Sequence, residues 1–262
     1  MHKIADIACN FTSDRFDNDL DEIIDRAIAN NITKFGLICS QLSDLDKLLE
    51  IYNQYSKNMY FTIGVHPHHA NEINKEYLDK LKEVINKNNP HAIGETGLDF
   101  YRNLSTYEEQ VYAFEEQIKI AIDTNKPLFL HQRDSHGDFI KILTKYSSDL
   151  NKAVVHCFTG TQDQLEAYLE LDCYIGVTGW ICDEKRNVEL RKTIKNIPLD
   201  RLMIETDCPY LIPKDLPEKP KNNRNEPINL NHIASEIAML MGIDEEVLRK
   251  DTFKNTINFF TN

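Results

Sequence analysis

A chain of 262 residues, 41% hydrophobic and 27% charged, has the size and balance of one large globular domain, and none of its apolar runs approaches the roughly 20 residues of a membrane span. A formal net charge of −12 argues against broad tracking of nucleic acid over an extended surface, but leaves room for a small basic patch that takes a strand end. The opening MHKIADIACN lacks the apolar core and cleavage site of an export signal, and the six scattered cysteines form no CxxC pair, so reduced thiols in a cytoplasm are expected. None of the six is read as catalytic; Cys157 and Cys208 draw notice only because they stand beside motif residues.

Short strand-like runs alternate with longer amphipathic ones. The strand candidates are KIADIACN (3–10), KFGLIC (34–39), MYFTIGVHP (59–67), HAIGETGLDF (91–100), PLFLHQRD (127–134), AVVHCFTG (153–160), CYIGVTG (173–179) and LMIETDCPYL (202–211). Helical patterns such as DLDEIIDRAIANN, TYEEQVYAFEEQIKIAIDTN and TQDQLEAYLELD lie between them, and the segment from Ile228 to Leu248 again reads helical. Ser43 or Asp44 is placed to cap LDKLLEIYNQY, and Thr106 with Glu109 makes a capping-box pattern. Strand-then-helix units repeated eight times predict an α/β (β/α)₈ barrel of the TIM type as one domain over 1–262, with an open doubly wound sheet as the alternative. The loop PKDLPEKPKNNRNEP (213–227) carries four prolines and the cations Lys214, Lys219, Lys221 and Arg224. It reads as a substrate-facing loop over the carboxyl-terminal face, or else as a stiff surface connection.

Ionisable residues gather where these strands end. His66 closes the third, Glu95 and Asp99 the fourth, His131 the fifth, His156 stands in the sixth, and Glu205 with Asp207 closes the eighth. In a barrel those ends meet at one mouth. A Glu, two His and an Asp from separate strands suit divalent cations of borderline hardness, and such a site activates water and stabilises charge on a phosphoryl or carbonyl oxygen. No GxSxG turn, GxxxxGK[ST] loop or GxGxxG run is present. His2, His91 and His232 have no evident partners and read as structural or surface residues, and His136 as facing solvent. In the HPHH run His66 faces the site, with His68 and His69 left as phosphate contacts.

Taken together, GVHPHHA (64–70), IGETGLDFYRN (93–103), EEQ (108–110), HQRDSH (131–136), HCFTGT (156–161), YIGVTGW (174–180), ETDCPYL (205–211) and RNEP (224–227) resemble the TatD-family metal-dependent deoxyribonucleases over nearly the whole chain. The resemblance implies an amidohydrolase-like barrel with a divalent metal, Mg²⁺ or else Mn²⁺, at its mouth. It implies a 3′–5′ exonuclease that prefers single-stranded DNA ends, with RNA left open. It also implies Glu95, His131 and His156 as metal ligands, and Asp207 as a further ligand or the base that activates water. Glu205, placed on the same side as Asp207 by the two-residue strand period, would help position metal and water. His66, Arg133 and Arg224 are the implied substrate contacts. One departure stands out: many members carry HxH on the first strand, where DIACN has Ala8 and Asn10. Ala8 cannot bind an ion; Asn10 offers a neutral oxygen for a weak metal or water contact, so one metal or two stays open.

The expected chemistry is in-line hydrolysis of a phosphodiester, with Phe100, Tyr101, Trp180 or Tyr210 as stacking platforms for terminal bases. Two rivals remain: a metal-dependent ester hydrolase such as a TatD-like aminoacyl-tRNA deacylase, and a non-catalytic binder of nucleic-acid ends. A monomer without an obligate protein partner or membrane contact is expected.

Overall fold

The computed structural model describes residues 2–220 and 222–261; Lys221 of the basic loop, and the first and last positions of the expected domain, lie outside the described residues. Among the described residues, strands β1 (Ile4–Cys9), β2 (Ile32–Leu37), β3 (Met59–Ile63), β4 (Ala92–Asp99), β5 (Leu128–Arg133), β6 (Ala153–Val155), β7 (Tyr174–Val177) and β8 (Leu202–Ile204) pair in that order, all parallel. The open doubly wound sheet is thereby excluded, because such a sheet places its first strand in the interior of the order. The seam between β1 and β8 is closed by a bridge between Cys9 and Cys208, with the Asn10 amide donating to the Cys208 carbonyl at 2.9 Å. Helices α1 (Leu20–Ala29), α2 (Leu45–Tyr55), α3 (Lys75–Asn88), α4 (Tyr107–Asp123), α5 (His136–Tyr146), α6 (Gln162–Glu170), α7 (Val188–Thr193), α8 (Leu230–Met241) and α9 (Glu245–Phe260) surround it. No helix among the described residues is long and apolar enough to cross a membrane.

Local sequence accounts for several helix boundaries. Thr106 and Glu109 form the reciprocal capping box at the start of α4. Asp44 does precede α2, but its side chain makes no cap bond there. The segment from Ile228 to Leu248 is helical in two pieces: Gly242 ends α8 in a left-handed conformation (φ +66°), and Asp244 then caps α9 by accepting from the Glu246 and Val247 amides.

Two apolar clusters divide the work. The larger lies between the strands and the helices. The smaller joins Ile7, Tyr60, Ala92, Phe129, Val154 and Met203 to Phe259 and Phe260 at the end of α9. Tyr60 and Ala92 stand at the first or second position of their strands, so α9 plugs the barrel's amino-terminal end, with Phe260 stacked on Tyr60 at 4.8 Å. Chemistry is therefore confined to the opposite end.

One ionisable group is buried in the seam. Asp6 accepts from the Thr206 amide at 2.9 Å and from its hydroxyl at 2.5 Å, and burial pushes its pKa up to about 7. The folded state thus retains a proton that the unfolded chain releases near pH 4, and the stability this confers is lost as pH rises from about 4 through about 7. Relative to Asp6→Asn, which keeps the shape and the seam contacts, the wild-type chain is expected to lose on the order of 4 kcal/mol over that window. Urea denaturation of both proteins at a series of pH values measures the difference; a difference constant with pH would contradict the assignment.

Candidate metal centre

The mouth is built around one carboxylate oxygen. Glu95 lies on β4, where the register sets Gly97 beside His131 on β5 and Asp99 beside Arg133. Its Oε1 is 2.8 Å from His131 Nδ1, 2.8 Å from His156 Nε2 and 3.5 Å from His66 Nε2. The donor atoms of His66, Glu95 and His131 lie within 4.8 Å of one another, and His156 reaches the same oxygen from β6.

Behind two of the three imidazoles stands a second carboxylate. His131 turns Nε2 to Asp99 Oδ2 at 3.3 Å, and His156 turns Nδ1 toward Glu205 Oε2 at 3.4 Å. That last pair is within reach but not aligned as a hydrogen bond, and both atoms are buried with no other partner. This is the arrangement that metal-ligating histidines adopt, one nitrogen on the metal and the other held by an outer acceptor that fixes the ring. Glu95, His131 and His156 are therefore donors of the kind that hold a divalent cation, which would come between the Glu95 carboxylate and the two rings and replace their direct contacts. His66 differs, since its Nδ1 accepts from the His68 amide at 3.1 Å. Its proton is thereby placed on Nε2, making it a donor into the mouth rather than a ligand.

Glycine makes room for Glu205. A Cβ on Gly176 of β7 would stand 2.8 Å from Glu205 Oε1 and 3.1 Å from the His156 Cα. In that space Glu205 Oε1 accepts the Cys157 amide at 2.5 Å.

The charges are strongly coupled. Burial alone would raise the pKa of Glu95, but the charge of His156 and the hydrogen bonds from His131 and His156 hold it well below the ordinary carboxylate range. Burial opposes charge on His131, which Asp99 and Glu95 nevertheless raise, and on His156, which Glu95 and Glu205 raise well above normal. Burial brings His66 down to about 4, so it is neutral near pH 7. Asp207 moves the other way: burial, with the charges of Glu95 and Glu205, pushes it up to about 7 against the opposing pull of His156. Burial likewise pushes the Cys157 thiol up to about 12, which leaves it inert as a nucleophile.

The residues singled out in the sequence divide into several groups. Glu95, His131, His156, Asp207, His66, Arg133 and Asn10 all line one open cavity of about 1260 Å³. That exceeds the roughly 300–1,000 Å³ of an ordinary small-molecule pocket. Glu205 does not reach it: β8 ends at Ile204, so the strand period fails and Glu205 lies fully buried beneath, acting through His156. Asp207 reaches the mouth through a left-handed backbone (φ +55°), as do its mouth neighbours Asp134 and Cys157. Asn10 faces Asp207 with its amide nitrogen, Nδ2 to Oδ1 at 2.9 Å, so it orients the carboxylate instead of offering its oxygen.

Arg224 requires correction. It is buried, its guanidinium is held by Asp19 at 2.8 and 2.6 Å and by Glu226 at 2.9 Å, and it stands over Phe16, so it locks a loop rather than touching substrate. Of the aromatic candidates, Tyr101, Trp180 and Tyr210 line the mouth, whereas Phe100 packs on Tyr107. Arg133 stacks over Tyr101 at 3.9 Å. His136 is not free in solvent, since its Nδ1 meets the Tyr168 hydroxyl at 2.9 Å.

Some mouth residues escaped the sequence reading. Asp99 reads from the sequence as a strand end without a role; it holds His131, His68 at 2.7 Å and the Tyr101 and Arg102 amides, and its four-residue spacing from Glu95 puts both on one strand face. Arg102 and Arg186 join Arg133 at the rim, giving local positive charge in an acidic protein. No local pattern marks them out.

Comparison with known proteins identifies the family. The family model described as TatD related DNase matches residues 5–261. The chain is 42% identical to the "3'-5' ssDNA/RNA exonuclease TatD" of Erwinia billingiae over 97% of this chain and 98% of that one. It is 41% identical to the protein of that name from Edwardsiella piscicida, over 98% and 99%. Among solved structures, a TatD-family hydrolase from Entamoeba histolytica superposes with a TM-score of 0.90 at 31% identity, covering 99% of this chain and 98% of that one.

The buried pocket that Gly176 leaves for Glu205 yields a direct test. Gly176→Ala is expected to displace Glu205 and weaken Mn²⁺ binding about 10- to 100-fold, as loss of an outer partner of a ligating histidine does. Isothermal titration alongside circular dichroism measures this; a native-like Gly176→Ala protein with unchanged affinity would show that Glu205 does not position His156.

Proposed function

The chain belongs to the TatD-related DNase family, and we propose that it is a metal-dependent 3′–5′ exonuclease acting on single-stranded DNA and RNA ends. The observation that carries this reading is the convergence of three imidazoles on Glu95 Oε1, with a second carboxylate behind two of them, at the floor of a cavity large enough for a strand end. Mg²⁺ is the proposed ion, with Mn²⁺ able to replace it, since carboxylate donors suit both and the imidazoles favour the softer ion.

Glu95, His131 and His156 would hold the cation, with Asp207 beside them. When bound, the cation lowers the pKa of water and offsets charge building on the phosphoryl oxygens. The rest is the work of side chains. Asp207, destabilised as an anion by burial beside Glu95 and Glu205, accepts the proton of the attacking water, and Asn10 Nδ2 fixes which oxygen does so. His66 donates from Nε2 to a phosphoryl oxygen. Arg133 offers its planar fork to the same phosphate or to the next one. The face of Tyr101, half-covered by Arg133, and the exposed Tyr210 stack the last bases. Stacking of this kind reads no sequence, and nothing at the mouth requires a deoxyribose, which accords with substrates of both sugar types.

A 5′-labelled single-stranded oligonucleotide with Mg²⁺ is expected to shorten progressively from its 3′ end. EDTA and Glu95→Ala each abolish the ladder. Asp207→Asn is expected to lower kcat about 10²- to 10⁴-fold, the usual contribution of a positioned base. In the wild type, activity rises with pH as Asp207 loses its proton, with a midpoint at or below about 7 because a bound cation favours the carboxylate, and this limb disappears in Asp207→Asn. Degradation that proceeds unchanged in EDTA, or in Glu95→Ala, would overturn the reading.

A further inference from the structure

Away from the mouth, three side chains that look unrelated in the sequence meet. Cys182 ends the short 3₁₀ turn Gly179–Cys182 after β7, Asp215 lies early in the proline-rich loop after β8, and His232 lies in the first turn of α8. We propose that Cys182, Asp215 and His232 form a second metal site, for Zn²⁺, that clips this loop onto α8 and the turn after β7. His232, which reads as a surface residue from the sequence, becomes a ligand.

The donor set is of the right kind and nearly in place. The Cys182 thiol, an Asp215 carboxylate oxygen and an imidazole nitrogen of His232 lie within 4.8 Å of one another. Zinc distances of about 2.0–2.3 Å put tetrahedral ligands roughly 3.3–3.7 Å apart, so closing on the ion needs only small shifts. His232 Nε2 already faces Asp215 Oδ1 at 2.7 Å. A thiolate and a carboxylate neutralise the dication, and the imidazole completes a mixed set that favours zinc over magnesium. The His232 and Asp215 side chains are 27% and 38% exposed, which leaves an entry path and a fourth position for water.

The surroundings also favour a cation. The Cys182 thiol is buried, with the charges of Asp215 and Glu236 reaching it. Glu236 stands one turn beyond His232 on α8, but Arg191 holds its Oε1 at 2.6 Å and occupies it. Without a metal the thiol keeps its proton against two carboxylates; zinc would replace that proton, as it does at thiolate sites generally. None of the three ligands lines the mouth, so the site is separate from the catalytic centre. It borders a side cavity of about 250 Å³ lined by Trp180, Asp183, Arg186, Leu211 and Lys214. Trp180, Arg186 and Leu211 also line the mouth, so the clip would steady one of its walls. The far end of the loop is already anchored by Arg224 and by Asn225, whose amide bonds the Thr206 and Leu211 carbonyls.

The rival is an ordinary His–Asp pair above a buried thiol, and metal counting separates the two without any nuclease assay. Glu95→Gln removes the charge at the centre of the mouth and serves as the background. Full-length Glu95→Gln, stripped with chelator, reloaded with excess Zn²⁺ and dialysed, is expected to carry one zinc more per chain than Glu95→Gln/His232→Ala. Its Co²⁺ form is expected to show sulfur-to-cobalt charge-transfer absorption that vanishes in Glu95→Gln/Cys182→Ser and persists in Glu95→Gln/Cys157→Ser. A hundredfold excess of Zn²⁺ over its dissociation constant is expected to raise Tm by about 5–10 °C more with His232 than without it. His232 is partly exposed, so His232→Ala tests the site even if Cys182→Ser folds poorly. Equal zinc content with and without His232, or a cobalt spectrum without the sulfur band, would overturn the proposal.

Discussion

Everything at the mouth depends on how a buried carboxylate is kept charged. Glu95 has almost no access to water, and burial alone would force it to take up a proton. Three imidazole nitrogens around a single oxygen reverse that outcome. Two of those rings are held from behind by Asp99 and Glu205. The cluster is a set of alternating donors and acceptors in which the central position suits a cation, and each carboxylate beyond it turns a ring toward that position. This explains why ionisable residues survive in a barrel otherwise packed with isoleucine, leucine and phenylalanine.

The barrel supplies what the cluster needs. Parallel strands bring their ends to one face, α9 seals the other, and the mouth is lined both by strand residues such as Glu95 and His131 and by residues just past the strands. Asp207 and Cys157 adopt left-handed backbones just past β8 and β6. Two neighbouring carboxylates thereby acquire different tasks. Glu205 drops beneath the floor against His156, while Asp207 turns up into the cavity, where burial raises its pKa. Their environments, not their identities, set them apart: one is sealed against His156 and the other opens onto the cavity.

Much of this is legible in the amino-acid order, and the misses share a cause. Short apolar runs that stop on His, Glu or Asp mark the strands and their functional ends, because few other folds place so many ionisable groups after buried strands. The Thr106–Glu109 cap is equally local, and it appears as expected. Contacts between distant segments are another matter. Arg224 looks like a free cation in a basic loop, yet Asp19, 205 positions earlier, claims it. His232 looks solitary until the loop after β8 folds back and delivers Asp215. The period-two argument for Glu205 fails because β8 is only three residues long. Each error concerns which partner a side chain meets, and that is set by the closed barrel as a whole.

The central claim is that Glu95, His131 and His156 enclose a divalent cation. Anomalous diffraction from crystals of the protein grown or soaked with Mn²⁺ measures this most directly. The account requires a manganese peak between the Glu95 carboxylate and the two imidazoles, about 2.0–2.3 Å from each donor, with His131 still held by Asp99 and His156 by Glu205. Crystals that take up manganese elsewhere, while Glu95 keeps its direct contacts with the imidazoles and no density lies between them, would contradict it.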